Sequence, residues 1–279
     1  MNKTSYLFCV CILSLLLAGC GSGQALVPTS TPIPTAAEPT PVPPTATPLP
    51  SGVTLYYDEV AQVELIAPGG TRVLIDVLNP SRLSSPPTEK DILLTTHTHD
   101  DHLYPGLEKT FPGQQLFVKA GEIQLPEVTL RGIPAAHSDG DPLLPEGGSD
   151  YIFIVDMGGL RIAHFGDIGQ LALTEEQMKA LGQVDVAITQ FENSFSQMDL
   201  VNKKGFALMQ QLQPRLILQT HSSLAAMRYA ASLWPLLYSD QPYVALAADS
   251  LPQKTSLLLM GRLARSNIKK LPDAVPVDW

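Results

Sequence analysis

Short apolar runs separated by turn-forming residues dominate the chain after position 52, and this pattern predicts strands. Runs at 53–57, 62–66 and 72–77 predict a three-stranded meander, with Pro68-Gly69-Gly70 as the turn between the second and third strands. Further strands are predicted at 91–95, 116–119 and 128–133, and a hairpin at 151–156 and 160–165 around Met157-Gly158-Gly159. The first half of this region is therefore predicted to be mainly sheet.

Helical patterns appear in the second half, between further apolar runs. Thr174 followed by Gln177 is a capping-box pattern that predicts a helix start. A second helix is predicted at 203–212, before Pro214, and a third from Ser222 or Ser223 to Trp234. Strands are predicted at 184–189, 215–219, 243–247 and 256–259. This alternation of strands and helices predicts an α/β domain.

The first 20 residues have the pattern of a bacterial export signal. Lys3 precedes an almost wholly apolar stretch at 7–17, which is too short to span a bilayer comfortably. Leu17-Ala18-Gly19-Cys20 resembles the lipobox of bacterial lipoproteins, in which the signal is cut before the cysteine and the cysteine is acylated. We therefore predict a signal peptide over 1–20 and lipidation at Cys20. The alternative is an ordinary secreted protein.

Residues 21–51 are rich in proline and threonine and show no hydrophobic periodicity. Such a stretch cannot bury a core and favours extended backbone, so we predict a disordered tether. The globular domain is then predicted to cover 52–279, which is long enough for one α/β domain with an ample core. This organisation predicts an extracytoplasmic protein anchored to the cell membrane by its lipid.

Net charge and cysteine content limit which partners and which metal ligands the predicted domain can have. The chain of 279 residues carries a net charge of -9, which argues against nucleic acid as its main partner. Its three cysteines all lie at or before position 20, so the predicted domain has no disulfide and no thiolate ligand. Any metal ion in the domain must be bound by nitrogen and oxygen atoms.

The strand predicted at 91–95 leads into Thr96-His97-Thr98-His99-Asp100-Asp101-His102. Imidazole nitrogens and carboxylate oxygens at this density are typical of a site for a zinc-class ion. On extended backbone His97 and His99 point the same way and can share one metal. Asp101 and His102 follow the turn and can face a second metal. A polar loop that is histidine-rich by chance is the alternative.

This segment resembles the His-x-His-x-Asp-His signature of the metallo-β-lactamase superfamily and matches it at every defined position. The resemblance implies a four-layer αββα sandwich with two metal ions at one edge. It also implies further ligands. His137 matches the third histidine of site one, Asp167 the bridging aspartate, and His221 the last ligand of site two. The implied metal ligands are His97, His99, Asp101, His102, His137, Asp167 and His221.

His164 stands three residues before Asp167, in a pattern similar to the branch that includes ascorbate-6-phosphate lactonase. The resemblance implies a supporting or substrate-side role for it. The chain departs from that branch before His221, where Gln219-Thr220 replaces a Pro-Met pair. The predicted loop at 190–199 follows a strand end, and we expect it to help shape the substrate pocket.

The resemblance implies a hydrolase in which two divalent ions, zinc by default with manganese or iron as alternatives, activate a shared water. The resulting hydroxide attacks an ester, lactone or phosphodiester, and Asp101 also acts as a base. A true β-lactamase is disfavoured, because the bridging carboxylate accompanies other hydrolase activities. We expect a small-molecule or lipid-like substrate. A tethered, non-catalytic binding domain is the alternative.

Overall fold

The computed structural model describes residues 52–57, 60–271, 273–277 and 279, and the apolar runs in them form two β-sheets. The predicted signal peptide, Cys20 and the tether at 21–51 lie outside the described residues. The predictions made for them, and the domain boundaries that depend on them, stay predictions.

The strands are β1 Val53–Tyr57, β2 Val63–Ile66, β3 Arg72–Ile75, β4 Ile92–Thr95, β5 Gln114–Phe117, β6 Gly121–Gln124, β7 Val128–Ala135, β8 Asp150–Met157, β9 Leu160–His164, β10 Val186–Thr189, β11 Leu216–Gln219, β12 Leu236–Tyr238, β13 Tyr243–Leu246, β14 Ser256–Leu259 and β15 Val275–Pro276. The α-helices are α1 Leu107–Thr110, α2 Glu175–Leu181, α3 Lys204–Leu212, α4 Leu224–Leu233 and α5 Gly261–Asn267. Short 3₁₀ turns occupy Pro80–Arg82 and Ile268–Lys270.

The first sheet has six strands in the order β13-β1-β2-β3-β4-β5. The predicted meander is present, since β1, β2 and β3 pair antiparallel. From β3 to β5 the pairing is parallel. Parallel strands end at the same edge of a sheet, so the residues that follow β3 and β4 lie side by side.

The second sheet has nine strands in the order β15-β12-β14-β11-β10-β9-β8-β7-β6. Strands β6 to β9 pair antiparallel, and they include the predicted hairpin of β8 and β9. Strands β9, β10 and β11 are parallel neighbours. The segments that follow these three strands therefore also meet at one edge.

Apolar side chains from both sheets pack together in the main core, where Leu55 and Val73 of the first sheet join Phe153 and Ile162 of the second. A second cluster packs helices α2 to α5 on the other face of the nine-stranded sheet. On the outer face of the six-stranded sheet, Leu107 and Phe111 of a short segment around α1 cover Leu74 and Leu93. The predicted arrangement of two sheets between helical layers is confirmed, with one outer layer reduced to about a turn.

The residues predicted to cap helices α2 and α4 do so in the structure. The Thr174 hydroxyl accepts from Gln177 N–H, and the Gln177 side chain accepts from Thr174 N–H, so the predicted capping box is formed. At the start of α4 the Ser223 hydroxyl accepts from Ala226 N–H at 3.2 Å, which selects Ser223 over Ser222 as the cap. None of the described helices has the length and hydrophobicity needed to cross a membrane.

Several elements were missed because their local patterns are weak. Strand β6 buries only Ile123, since it lies at an edge of its sheet. Strand β12 follows Trp234-Pro235 within one apolar run, and periodicity alone cannot separate it from the preceding helix. The expectation that helices occur only in the second half was wrong, because the single turn of α1 precedes it.

Candidate metal centre

The metal-ligand residues predicted from the sequence follow the ends of four strands. The segment 96–102 follows β4, His137 follows β7, Asp167 follows β9 and His221 follows β11. One of these strands belongs to the six-stranded sheet and three belong to the nine-stranded sheet. The site is therefore built where the two sheets meet, on backbone that the core holds rigid.

The structure brings all seven residues into two adjacent groups. In each group the atoms that could bind a metal ion lie within 4.8 Å of one another. The first group is His97, His99, His137 and Asp167, and the second is Asp101, His102 and His221. This grouping is the one that the resemblance implies.

Asp167 links the two groups through its two carboxylate oxygens. Its Oδ2 lies 3.7 Å from His97 Nε2 and 3.9 Å from His137 Nε2. Its Oδ1 lies 3.2 Å from His102 Nε2 and 3.4 Å from His221 Nε2. One carboxylate thus presents a different oxygen to each group, which is the arrangement expected of a bridging ligand.

Asp76, which follows β3, orients two of the histidines. Its carboxylate accepts from the Thr96 hydroxyl at 2.7 Å and lies 2.8 Å from His102 Nδ1. Since the hydroxyl gives its single proton to Asp76, it must accept from His97 Nδ1, 3.0 Å away. His97 therefore carries its proton on Nδ1 and turns its Nε2 lone pair toward Asp167, and His102 holds a proton on Nδ1 toward Asp76.

Burial and neighbouring charge prepare the site for cations. Burial lowers the pKa of His97 and of His137 to about 4, with help from neighbouring histidines, so both rings are neutral ligands at pH 7. Burial alone would raise the pKa of Asp167, but His102, His221 and His97 hold it well below its usual range. Burial would also lower the pKa of His102, yet Asp76 and Asp167 raise it.

The donor atoms fit a divalent ion. His97 Nε2, His137 Nε2 and Asp167 Oδ1 are buried and lack a hydrogen-bond partner among the described residues. Buried polar atoms left in this way are rare in folded proteins, and here all three belong to residues of the first ligand group. Nitrogen and oxygen donors without thiolate suit zinc, manganese and iron.

A family model described as "Beta-lactamase superfamily domain" matches residues 55–221, which is more than half of the chain. The chain belongs to the metallo-β-lactamase superfamily. The matched segment contains every proposed ligand, from His97 to His221.

Similar proteins agree with this membership. The chain is 24% identical over 199 residues to a UPF0173 metal-dependent hydrolase of Natranaerobius thermophilus, covering 63% of this chain and 82% of that protein. It is also 24% identical over 197 residues to a UPF0173 metal-dependent hydrolase of Thermococcus onnurineus, covering 62% of this chain and 82% of that protein. The protein is therefore a metal-dependent hydrolase of the superfamily, as predicted.

Among solved structures, a Thermotoga maritima protein described as a Zn-dependent hydrolase of the metallo-β-lactamase superfamily has a similar fold. The TM-score is 0.56 at 16% identity, and the match covers 75% of this chain and 98% of that one. At this identity the likeness supports the two-sheet fold and not a shared substrate.

His164 lies behind the turn that carries Asp167, and its side chain is 1% exposed. Its Nδ1 accepts from Gly166 N–H at 3.2 Å, a contact that supports this turn. Burial lowers the pKa of His164 to about 4. The supporting or substrate-side role of His164 stays a prediction, and the contact with Gly166 is the observation that favours support.

Sequence reasoning missed Asp76, Asp150 and Asn193. Asp76 follows an apolar strand directly, the same signal that pointed to Asp167, and could have been found in that way. Asp150 is buried with its Oδ1 3.5 Å from His97 Nδ1, beside Gly166, where a Cβ would come within 2.2 Å of that oxygen. Asn193 donates to Asp167, as described below. Neither of these two carries a local signal in the sequence.

The predicted pocket loop at 190–199 does approach the site. The ring of Phe195 is 73% exposed and its centroid lies 5.8 Å from that of His99. Two polar residues near this loop or the 96–102 segment belong to neither ligand group: Tyr104, which is 50% exposed, and Lys203. Lys203 places its Nζ 4.5 Å from the ring centre of Tyr229, a contact on α4 rather than at the metal centre.

Proposed function

We propose that this superfamily member hydrolyses an ester, lactone or phosphodiester with two divalent ions held by the seven clustered residues. The observation that carries the proposal is the placement of Asp167, whose two oxygens face different ligand groups at 3.2–3.9 Å. A single ion would need only one of the two groups.

His97, His99 and His137 would hold the first ion, Asp101, His102 and His221 the second, and Asp167 both. Ions bound there would supply a water of lowered pKa as the nucleophile and would polarise the bond to be cleaved. The chain supplies neutral imidazoles on one side and an ionised bridge between the groups. We propose zinc, with manganese or iron as alternatives for this donor set.

Asp101 is the residue best placed to handle a proton. Its side chain is 43% exposed, whereas that of Asp167 is 1% exposed, and its Oδ2 lies 3.8 Å from His221 Nε2. A carboxylate at the solvent side of the group can accept a proton from the nucleophilic water and release it to bulk solvent. Asp167, closed off and flanked by histidines, serves as a ligand and not as a base.

The substrate is proposed to be a small or lipid-like molecule with an apolar portion. The exposed ring of Phe195 beside His99 supports this, because an exposed aromatic side chain at a site gives apolar contact area. The branch that includes ascorbate-6-phosphate lactonase remains the proposed affiliation. Gln219, fully buried ahead of His221, is where the chain departs from that branch.

The alternative is a tethered domain that uses the fold only to bind a ligand. The convergence of all seven candidate ligands favours catalysis, since a binding role would not require a complete set. Elemental analysis of protein purified without chelator should give about two divalent ions per chain. A panel of lactone, phosphodiester and acyl-ester substrates, assayed with wild type and His97→Ala, then identifies the bond cleaved. Active wild type that contains no metal would refute the mechanism.

We propose that the protein works outside the cytoplasm, attached to the membrane by lipid on Cys20, with the segment 21–51 as its tether. Two or three acyl chains anchor a protein stably, whereas one does not. Cys20→Ala should therefore move the protein out of the membrane fraction or leave its signal uncleaved. Cys11→Ala is the matched control and should leave fractionation unchanged. Wild-type protein found wholly soluble outside the cell would contradict the proposal.

A further inference from the structure

Asn193 makes a hydrogen bond to Asp167, the carboxylate that links the two ligand groups. Its side-chain Nδ2 donates to Asp167 Oδ2 at 2.6 Å. Asp167 Oδ1, in contrast, has no hydrogen-bond partner among the described residues and faces His102 and His221. The amide thus fixes one oxygen of the carboxylate and leaves the other free.

The orientation of the Asn193 amide is itself determined by its loop. Its Oδ1 accepts from Phe195 N–H at 2.9 Å, so the amide nitrogen must point the other way, toward Asp167. Its backbone N–H and C=O both pair with Met198, each at 2.9 Å. Met198 is 1% exposed and anchors this pair in the helix-side core. The closed turn at 193–198 therefore positions the Asn193 amide against Asp167.

That turn is joined to the backbone around Asp167. Gln190 Nε2 donates both to Ser196 Oγ at 2.7 Å and to the carbonyl of Ile168, the residue after Asp167, at 2.9 Å. Gly169 packs so closely against the turn that a Cβ there would lie 2.6 Å from Ser196 O and 2.1 Å from His137 O. The loop and the Asp167 turn are consequently packed and hydrogen-bonded to each other.

The same loop also holds a ligand of the second group. The backbone N–H groups of Phe191 and Glu192 donate to the carbonyl of His221 at 2.9 and 3.2 Å. The Glu192 carboxylate accepts from the hydroxyl of Ser223, the cap of α4. A single segment, 191–198, is therefore tied to Asp167 on one side and to His221 on the other.

We propose that Asn193 is a positioning residue that holds the Asp167 carboxylate with one oxygen toward each group of ligands. This inference rests on the proposed two-metal function. Rotation of a carboxylate about its last torsion is soft, so a bridge needs a partner that selects one orientation. Partners of metal ligands usually do this, and their loss costs about 10–100-fold in metal affinity or activity.

The test uses the full chain with Asn193→Ala, and with Ser194→Ala as the matched control from the same turn. Zn²⁺ affinity is measured by titration against a chelator, and the visible spectrum of Co²⁺-loaded protein reports ligand geometry. Asn193→Ala should bind zinc about 10–100-fold more weakly and show an altered Co²⁺ spectrum. Ser194→Ala, an exposed side chain, should match wild type in both.

A second variant keeps the result interpretable if alanine loosens the loop. Asn193→Asp preserves the shape and the acceptor for Phe195 N–H but replaces the donor that faces Asp167. Because the new carboxylate would lie beside that of Asp167, the variant should alter the Co²⁺ spectrum and lower the thermal midpoint of metal-free protein. A transition that stays cooperative shows that the fold is kept. Unchanged zinc affinity and spectra in both variants would overturn the inference alone. Wild type that binds no metal would overturn the proposed function, and the inference with it.

Discussion

Strand β4 has a cluster of buried charge at each end, and the two clusters differ in how their polar atoms are partnered. Before the strand, Asp91 pairs with Arg72, which also pairs with Glu64. After the strand, Thr96 begins the segment that carries His97 and His102. At the centre of each cluster the side chains are almost closed to solvent, since Arg72 is 6% exposed and His97 is 2% exposed.

In the first cluster the guanidinium of Arg72 is fully partnered. It donates to Asp91 through Nε at 3.0 Å and to Glu64 through Nη1 at 3.0 Å. It also donates to the carbonyls of Ser85 and Pro86 at 3.0 and 2.9 Å. Two carboxylates accept hydrogen bonds from this guanidinium, and backbone carbonyls accept from its remaining donors. The guanidinium therefore has no unpartnered donor that a ligand could contact. This cluster holds the segment before β4 to the outer face of its sheet.

In the second cluster the buried atoms at the centre lack such partners. His97 Nε2, His137 Nε2 and Asp167 Oδ1 have no hydrogen bonds among the described residues, while His97 Nδ1 and Asp167 Oδ2 are each hydrogen-bonded. The comparison teaches that buried charge by itself does not mark a functional site. Buried ligand atoms held in place but left unpartnered do.

The largest expected effect comes from removing the shared ligand of the second cluster. Asp167→Ala should lower turnover by more than the roughly 100-fold that an outer-shell change costs, and should lower the metal content. The reason is that two facing cations would lose the carboxylate between them. Rate and elemental analysis on the same preparation measure both effects. Asp167→Asn, which keeps the shape without the charge, serves as the matched variant, and full metal content in both would contradict the bridging role.

Breaking the first cluster should affect folding and leave metal binding alone. Asp91→Asn leaves Arg72 with one carboxylate and should lower the free energy of unfolding by about 3 kcal/mol, as for other buried pairs that lose a partner. Urea denaturation of metal-free protein measures it. Asp156→Asn at the more exposed Arg161 pair is the control and should cost less than about 1 kcal/mol. A large loss of bound metal in Asp91→Asn would show that the two clusters are not independent.

A substitution at His164 tests whether losing a residue that supports a ligand lowers metal content and rate less than losing a ligand does. Because His164 contacts Gly166 N–H and none of the ligand atoms, His164→Ala should keep most of the metal and lose at most about 100-fold in rate. Metal content and turnover are compared with those of Asp167→Ala. If His164→Ala empties a site while Asp167→Ala retains both ions, the two roles are assigned the wrong way round.

The smallest expected effect is the pH dependence of the first cluster. Burial would raise the pKa of Asp91, but its hydrogen bond to Arg72 lowers it below the ordinary value. Since the folded pKa lies below the unfolded value of about 3.9, the pair contributes its full stability above that pH and loses it as the pH falls through the folded pKa. The stability difference between wild type and Asp91→Asn should therefore be constant from pH 7 to 5 and shrink below pH 4. Thermal unfolding of metal-free protein measures it, and a difference that grows on acidification would be inconsistent with this pairing.

The sequence was sufficient for most of the elements and for the four candidate ligands of one segment, because both depend on short-range pattern. The meander, the hairpin of β8 and β9 and the capping box at Thr174 are each specified within a few residues. The spacing of His97, His99, Asp101 and His102 is equally local. His137, Asp167 and His221 lie too far along the chain for spacing to relate them to this segment. They could be proposed because the family resemblance implies them as ligands.

Only the tertiary structure decided which distant residues hold those ligands. Asp76 lies 26 positions before His102, and Asn193 lies 26 positions after Asp167, yet both make direct contacts across strand ends. Nothing near Asn193 marks it, because its partner is brought to it by the parallel pairing of β9 and β10 and by the closed turn at 193–198. The burial of His164 was decided in the same way. Its sequence neighbours indicate a strand end, but only the packing of the two sheets determines that the side chain is buried.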